Sequence, residues 1–193
     1  GRINKMYFPS DMTFQYLFFN TYIGYFLQSL PISLIISVIY YFIKLKNDKN
    51  MSISKKIFTF LFISYITGVI CLTVGLDLMG ICWYKLIYHS DLGTSVSLFN
   101  GDFSFKLNLI GNLDKEAIAN IIMFLPFGIL LPLSQKEFNF KNNIIKGIIF
   151  ILSIEILQPI FGRAFDINDI VLNIFGVLIS TIIYMFLRKI LRK

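Results

Sequence analysis

The sequence predicts an all-α, polytopic membrane helix bundle with about five transmembrane helices, formed as a single domain over residues 1–193. Hydrophobic residues occupy 56% of the positions and charged residues only 15%, whereas soluble domains carry about 25% charged residues. The mean hydropathy is +0.71. Five apolar runs, each close to the ~20 residues that cross a bilayer core, account for this composition. An ordinary soluble domain is therefore excluded.

The apolar runs and the polar segments between them define the predicted helices. These helices cover residues 16–43, 57–78, 115–133, 144–161 and 168–187. The first run is longer than a signal-peptide core and has no small-residue cleavage site behind it, so we expect a retained helix. The loop over residues 79–114 is long, and loops of this length often carry function or lie on the membrane surface.

The basic residues predict an extracellular N-terminus and a cytoplasmic C-terminus, because cytoplasmic loops are enriched in Lys and Arg. Twelve of the 18 basic residues lie between helices one and two, between helices three and four, and in the C-terminal tail. The other six lie on the opposite side among several acids, which makes the loop over 79–114 extracellular. We interpret the net charge of +7 as topology signal and lipid-headgroup contact, and expect no nucleic-acid partner.

Polar side chains gather near the outer ends of the last three helices. Such side chains are costly at membrane depth and need a partner or a water-filled cavity. Glu155 and Gln158 lie three residues apart, and Asp169 and Asn173 four apart, so each pair shares a helix face. Asn168 is the expected N-cap of the fifth helix. The candidate ligand-binding residues are Asn120, Glu155, Gln158, Arg163, Asp166, Asp169 and Asn173.

The charges of this cluster do not balance. Arg163 is the single cation beside three acids, Glu155, Asp166 and Asp169. The excess negative charge has three solutions: a protonated carboxyl, with Glu155 the first candidate by depth, a bound cation, or a basic group on a ligand. A structural alternative is an ion-pair and hydrogen-bond network that only holds the last two helices together.

Three further features bear on packing and chemistry. Pro126 removes the hydrogen bond to the Ile122 carbonyl, so we expect a kink, with that carbonyl either facing the polar cluster or satisfied by a neighbour. Gly176 and Ser180 form a small-xxx-small pair suited to close helix packing. His89 has no Cys or second His nearby and no familiar catalytic or nucleotide motif is present, so we expect neither a metal nor a cofactor.

Three polar blocks, taken in order, resemble the VanZ-like family over residues 117–187. The positions that carry the resemblance are Asn120, Pro126, Gly128, Glu155, Gln158, Gly162, Arg163, Asp166, Asp169, Asn173 and Gly176. The resemblance implies a small bacterial membrane protein, and in some members a link to low-level resistance to teicoplanin-type glycopeptides. The long loop and the first helix carry no marker of the family.

Three functions follow from these observations. The leading hypothesis is an envelope protein that binds an amphiphile at the outer leaflet, with membrane lipids, a lipid-linked wall precursor or a glycopeptide antibiotic as its partners. The alternative is a membrane enzyme that modifies an envelope lipid or glycan, with Glu155 as acid/base and Asp169 as its ionised partner. The third is a non-catalytic scaffold. The expected location is the cell membrane, and the abundance of Ile, Lys, Asn and Phe suits a Gram-positive source.

Overall fold

The computed structural model describes residues 22–75, 102–107, 115–161 and 163–191. Within these ranges five helices are long and apolar enough to cross a membrane, which confirms the predicted all-α bundle. Helix bounds are α1 Tyr22–Tyr40, α2 Ile53–Ile70, α3 Lys115–Ser134, α4 Phe140–Leu157 and α5 Ile167–Leu191. π-Helical turns extend α1 over Tyr41–Leu45 and α2 over Cys71–Gly75, and a 3-10 turn extends α4 over Gln158–Phe161.

The structure corrects two predicted helix starts, and side-chain caps explain both. The Ser52 hydroxyl accepts from the Lys55 backbone N–H (3.5 Å), so α2 begins at Ile53 and not at residue 57. The Asn139 side chain accepts from the Asn142 N–H (3.0 Å), so α4 begins at Phe140 and not at residue 144. A cap satisfies backbone donors that have no partner within the helix, and the helix can therefore start in a polar segment.

The core lies between α3, α4 and α5, and α2 adds Phe62 and Val69 to it. α5 packs most extensively on α3 and also on α4, while α2 packs on both α1 and α3. Phe124, Ile151 and Val177 are almost fully buried where α3, α4 and α5 meet. Glycines bring α3 and α5 together, because a Cβ on Gly176 would overlap the Ile121 carbonyl oxygen. The expected close packing at Gly176 is thus confirmed.

α3 runs through Pro126 and Pro132 as one helix from Lys115 to Ser134. The Tyr65 hydroxyl of α2 donates to the Met123 carbonyl of α3 (2.9 Å). Pro126 has no N–H to donate to the Ile122 carbonyl, four residues earlier. Met123 is the residue after Ile122. A side chain from α2 therefore binds the carbonyl next to the one that Pro126 leaves without its helical donor.

α1 contacts α2 through a line of serines. Ser29, Ser33 and Ser37 are each buried, and their spacing of four places them on one face. The Ser37 hydroxyl donates to the Ser64 hydroxyl of α2 (3.1 Å). Small residues with hydroxyl groups allow close approach and hydrogen bonding between membrane helices. The remaining faces of α1 expose large apolar side chains, as expected for a lipid-facing helix.

Two short strands pair with each other at one end of the bundle. β1 (Phe103–Ser104) pairs in parallel with β2 (Phe165–Asp166), with Phe103 opposite Phe165. β1 belongs to the loop predicted over residues 79–114, and residues 102–107 are the part of that loop that the structure describes. This part lies against the connection between α4 and α5.

Candidate functional site

The candidate site lies where α4 ends and α5 begins, an end of the bundle that we call the site end. The Phe165 backbone N–H donates to the Asp102 carbonyl (2.8 Å), which fixes the segment 102–107 over this connection. The end of α2 and the beginning of α3 reach the same level through the contacts of Arg163 and Asn120 described below. Four separate parts of the chain therefore lie together at the start of α5: the end of α2, the segment 102–107, the start of α3 and the end of α4.

Two buried side chains form the centre of the site. Glu155 of α4 is 2% exposed and Asn173 of α5 is 3% exposed. Asn173 Nδ2 donates to Glu155 Oε1 across 3.4 Å. The second oxygen of each side chain, Glu155 Oε2 and Asn173 Oδ1, is buried without a hydrogen-bond partner among the described residues. Gln158 is also buried, one turn after Glu155. The shared faces predicted from spacing are thus directed into the bundle.

Asn120 and Asp169 join α3 to α5 at the same end. Asn120 Nδ2 donates to Asp169 Oδ1 across 2.6 Å, and both side chains are half-buried. An amide donor next to a carboxylate makes a short, charge-assisted hydrogen bond. The predicted proximity of Asn120 to the acidic residues of the fifth helix is therefore observed.

Asp166, and not Asn168, caps α5, which corrects the expected N-cap. Asp166 Oδ1 accepts from the Asn168 backbone N–H and from Asn168 Nδ2, each at 2.8 Å. Asn168 Nδ2 also donates to the Lys106 carbonyl (3.0 Å). The carboxylate is stabilised there because the first backbone N–H groups of a helix lack partners and carry partial positive charge. Asp166 thus has a structural contact in addition to any contact with a ligand.

Arg163 is exposed and binds the end of α2. Its Nη1 donates to the Thr73 carbonyl (2.9 Å) and to the Leu72 carbonyl (3.3 Å). A guanidinium at the C-terminal end of a helix satisfies carbonyls that have no partner within that helix. Arg163 still lies close enough to Glu155 to act on it electrostatically, as do Asp166 and Asp169. The structure brings Arg163 to the cluster, but its Nη1 binds backbone carbonyls of α2.

An aromatic group beside the site was not predicted from the sequence. The rings of Phe103, Phe105 and Phe165 lie 5.5 to 6.3 Å apart, centroid to centroid. Phe103 and Phe105 are 62% and 69% exposed. We call these three residues the phenylalanine group. The alternation of Phe103, Ser104 and Phe105 is a strand pattern, although its place beside α5 depends on pairing with a distant segment.

A second buried polar contact joins the first turn of α4 to the second half of α5, away from the site end. Asn143 Nδ2 donates to Thr181 Oγ1 (2.8 Å) and more weakly to the Gly128 carbonyl (3.5 Å). Asn143 was missed because the predicted fourth helix began one residue later. The signal that would have revealed it is the capping residue Asn139, which moves Asn143 into the helix.

Metal binding has no geometric support within the described ranges. There, no three His, Cys, Asp or Glu side chains come together as metal ligands do. Gly162, one of the family-like positions, and His89 lie outside the described residues.

These features define a multi-pass membrane protein with a polar site at one end of its helix bundle. The VanZ/LLP1 family model matches residues 32–188, and the chain belongs to this family. Protein VanZ of Enterococcus faecium is 40% identical over 63 residues, which are 32% of this chain and 39% of that relative's length. The matched part is therefore well under half of the relative. No solved structure matches the chain at a significant level.

Proposed function

We propose that this protein binds the polar head of an envelope amphiphile at the site end, on the outer leaflet, and thereby contributes to resistance to teicoplanin-type glycopeptides in a Gram-positive cell. The observation that carries the proposal is that an exposed arginine, half-buried aspartates and exposed aromatic rings lie in one place. Membership of the VanZ/LLP1 family supports the link to resistance.

The polar part of the proposed ligand is anionic. Arg163 is held by two carbonyls through Nη1, so its position is fixed while Nη2 and Nε lie outside these bonds. A planar guanidinium in a fixed position is suited to a phosphate or carboxylate, which it can bind with two parallel hydrogen bonds. Arg163 therefore has the primary role in recognition. Asp166, which caps α5, and Asp169, which binds Asn120, hold the helices around it.

The apolar part of the ligand would lie against the phenylalanine group. Phe103 and Phe105 expose most of their ring surface next to β2, which leads into α5. Exposed aromatic rings beside charged groups are typical of positions at a membrane interface, where an amphiphile has both kinds of surface. A lipid headgroup, a lipid-linked wall precursor and a lipoglycopeptide antibiotic all share this chemistry.

An enzyme that modifies an envelope lipid or glycan is the second candidate. Glu155 has an oxygen free of hydrogen bonds, as an acid/base group needs. However, Glu155 is 2% exposed, and a substrate would reach it only after neighbouring side chains move. We rank binding first for this reason, a scaffold role third, and take Glu155 and Asp169 as the catalytic candidates if turnover is found.

Native mass spectrometry of protein purified with its own membrane lipids tests the proposal. Wild type should retain an anionic amphiphile, and Arg163→Ala should lose it by at least tenfold because the guanidinium is its main contact. Arg188→Ala is the matched control, since Arg188 lies near the other end of α5 over the Phe138 ring. Equal retention by all three proteins refutes the role of Arg163. The mass of the retained molecule distinguishes a phospholipid from a wall precursor, and added teicoplanin tests the antibiotic directly.

A further inference from the structure

Glu155 and Asn173 each have one buried side-chain oxygen that receives no hydrogen bond among the described residues. Asn173 Nδ2 already donates to Glu155 Oε1. The oxygens without partners, Glu155 Oε2 and Asn173 Oδ1, belong to the same two side chains. Both side chains are more than nine-tenths buried, and buried polar atoms are nearly always hydrogen-bonded in folded proteins. A hydrogen-bond donor or a positive charge beside these oxygens would therefore be stabilised.

A single proton on Glu155 would give both oxygens a hydrogen-bond partner. An ionised carboxylate only accepts hydrogen bonds, whereas a neutral carboxylic acid has one O–H donor and one carbonyl acceptor. A carboxamide also offers donors on one side and an acceptor on the other. The neutral acid and the amide thus match each other in a ring of two parallel hydrogen bonds.

We propose that Glu155 and Asn173 form a proton-binding acid–amide pair, in which Glu155 Oε2 carries a proton and donates it to Asn173 Oδ1 while Asn173 Nδ2 donates to Glu155 Oε1. The proton is the ligand of this site. This inference goes beyond amphiphile binding and does not depend on it, because Arg163 and the phenylalanine group take no part in the pair.

The charges around the pair act in both directions. The groups that face Glu155 are the carboxylates of Asp169 on α5 and Asp166 on β2, the backbone N–H of Asp166, and the guanidinium of Arg163 on the connecting turn. Arg163 donates through Nη1 to α2 carbonyls. α3 contributes the neutral amide of Asn120, which binds Asp169. With two carboxylates near a single guanidinium, the neutral form of Glu155 leaves the site closer to electrical balance.

Infrared spectroscopy in lipid nanodiscs tests the protonation directly. The chain has three glutamates, Glu116, Glu137 and Glu155, so labelling glutamate with carboxyl-13C limits the signal to these residues. At neutral pH we expect a labelled band of a protonated carboxyl that remains in Glu137→Gln, an exposed control, and in Glu116→Gln. The band should disappear in Glu155→Gln. A spectrum with only ionised glutamates at neutral pH overturns the proposal, and needs no variant to interpret.

Two further comparisons test the partner and the ligand. Asn173→Leu should shift the Glu155 band to higher frequency, because the acid loses its hydrogen bond to the amide, and an unshifted band rules out the pairing. Spectra in sodium, potassium and a bulky organic cation should be identical. An ionised Glu155 whose band responds to sodium overturns the proton in favour of a bound cation. Failure of these tests leaves the Arg163 experiment unaffected.

The stability of Glu155→Gln gives an independent readout. Glutamine reproduces the neutral acid, since its amide nitrogen can donate to Asn173 Oδ1 and its oxygen can accept from Asn173 Nδ2. We expect the unfolding temperature of Glu155→Gln at neutral pH to remain within about one degree of wild type. The unfolding temperature of Glu155→Leu should fall by several degrees, because one buried donor and one buried acceptor of Asn173 lose their partners. A large loss in Glu155→Gln would show that the ionised form is needed, and would contradict the pair.

Discussion

Replacing Gly128 by alanine should push α3 away from α5. A Cβ at this position would lie 2.7 Å from both the Thr181 backbone nitrogen and the Val177 carbonyl oxygen, and would overlap Ser180 Oγ. Ordinary van der Waals contact begins near 3.4 Å, so the two backbones must separate by about 0.7 Å or distort. Because two of these atoms belong to the α5 backbone, no rotation of a side chain relieves the contact.

The expected loss of stability can be estimated from two opposing effects. Overpacking costs about 1–3 kcal/mol, and a backbone contact falls in the upper part of that range. Alanine has a higher helix propensity than glycine by up to about 1 kcal/mol, which offsets part of the cost. The net loss in the free energy of unfolding should therefore be about 1–2 kcal/mol.

Gly68→Ala is the matched control for this substitution. Gly68 lies within α2, and a Cβ there would meet no atom within 4 Å. Only the helix propensity changes, so Gly68→Ala should stabilise the protein by about 0.5–1 kcal/mol. The difference between the two variants, measured by reversible unfolding in mixed micelles, isolates the steric effect and should reach about 2–3 kcal/mol. Values within about 0.5 kcal/mol of each other would refute the close approach of α3 and α5.

Two other predictions concern the second polar contact and the orientation in the membrane. Thr181→Val should lower the free energy of unfolding by about 1–3 kcal/mol, because the buried Asn143 amide loses its acceptor. The double variant Thr181→Val with Asn143→Leu should recover part of this loss. Additive losses from the two substitutions would contradict the pairing. In a cysteine-free background, a cysteine at Asp102 should react with a membrane-impermeant reagent on intact cells, whereas one at Glu137 should react only after the cells are opened. The reverse pattern would invert the proposed topology and place the site end in the cytoplasm.

The sequence was sufficient to predict the five membrane-spanning helices of the described residues, since hydropathy alone defines five spans. Helix starts were less predictable, because they depend on single capping residues. Ser52 and Asn139 start α2 and α4 among polar residues, where hydropathy gives no signal. The C-terminal helix likewise continues to Leu191, beyond the predicted end at residue 187, because Arg188 and Lys189 are favourable in a last turn.

The part of the site on α4 and α5 could be predicted because it depends on local periodicity. Spacings of three and four residues place Glu155 and Gln158, and Asp169 and Asn173, on faces that the structure directs inward. The contacts of Arg163 could not be predicted in this way. Its acceptors at Leu72 and Thr73 are about 90 residues away in sequence, and no periodic pattern specifies which helix end will lie beside a turn.

The close packing of α3 on α5 also explains how a buried acid can be held in a defined geometry. Gly176 lies one turn after Asn173 and is in contact with Ile121 of α3. Ile121 adjoins Asn120, whose amide binds Asp169 one turn before Asn173. The same small residue that lets the helices touch therefore sets the distance between the Asn120 amide and the acids of α5. Polar groups in a membrane protein can select a partner only when the backbone around them is fixed. Here the contact of Gly176 with α3 fixes the backbone. Packing and chemistry at the site end therefore depend on the same helix contact.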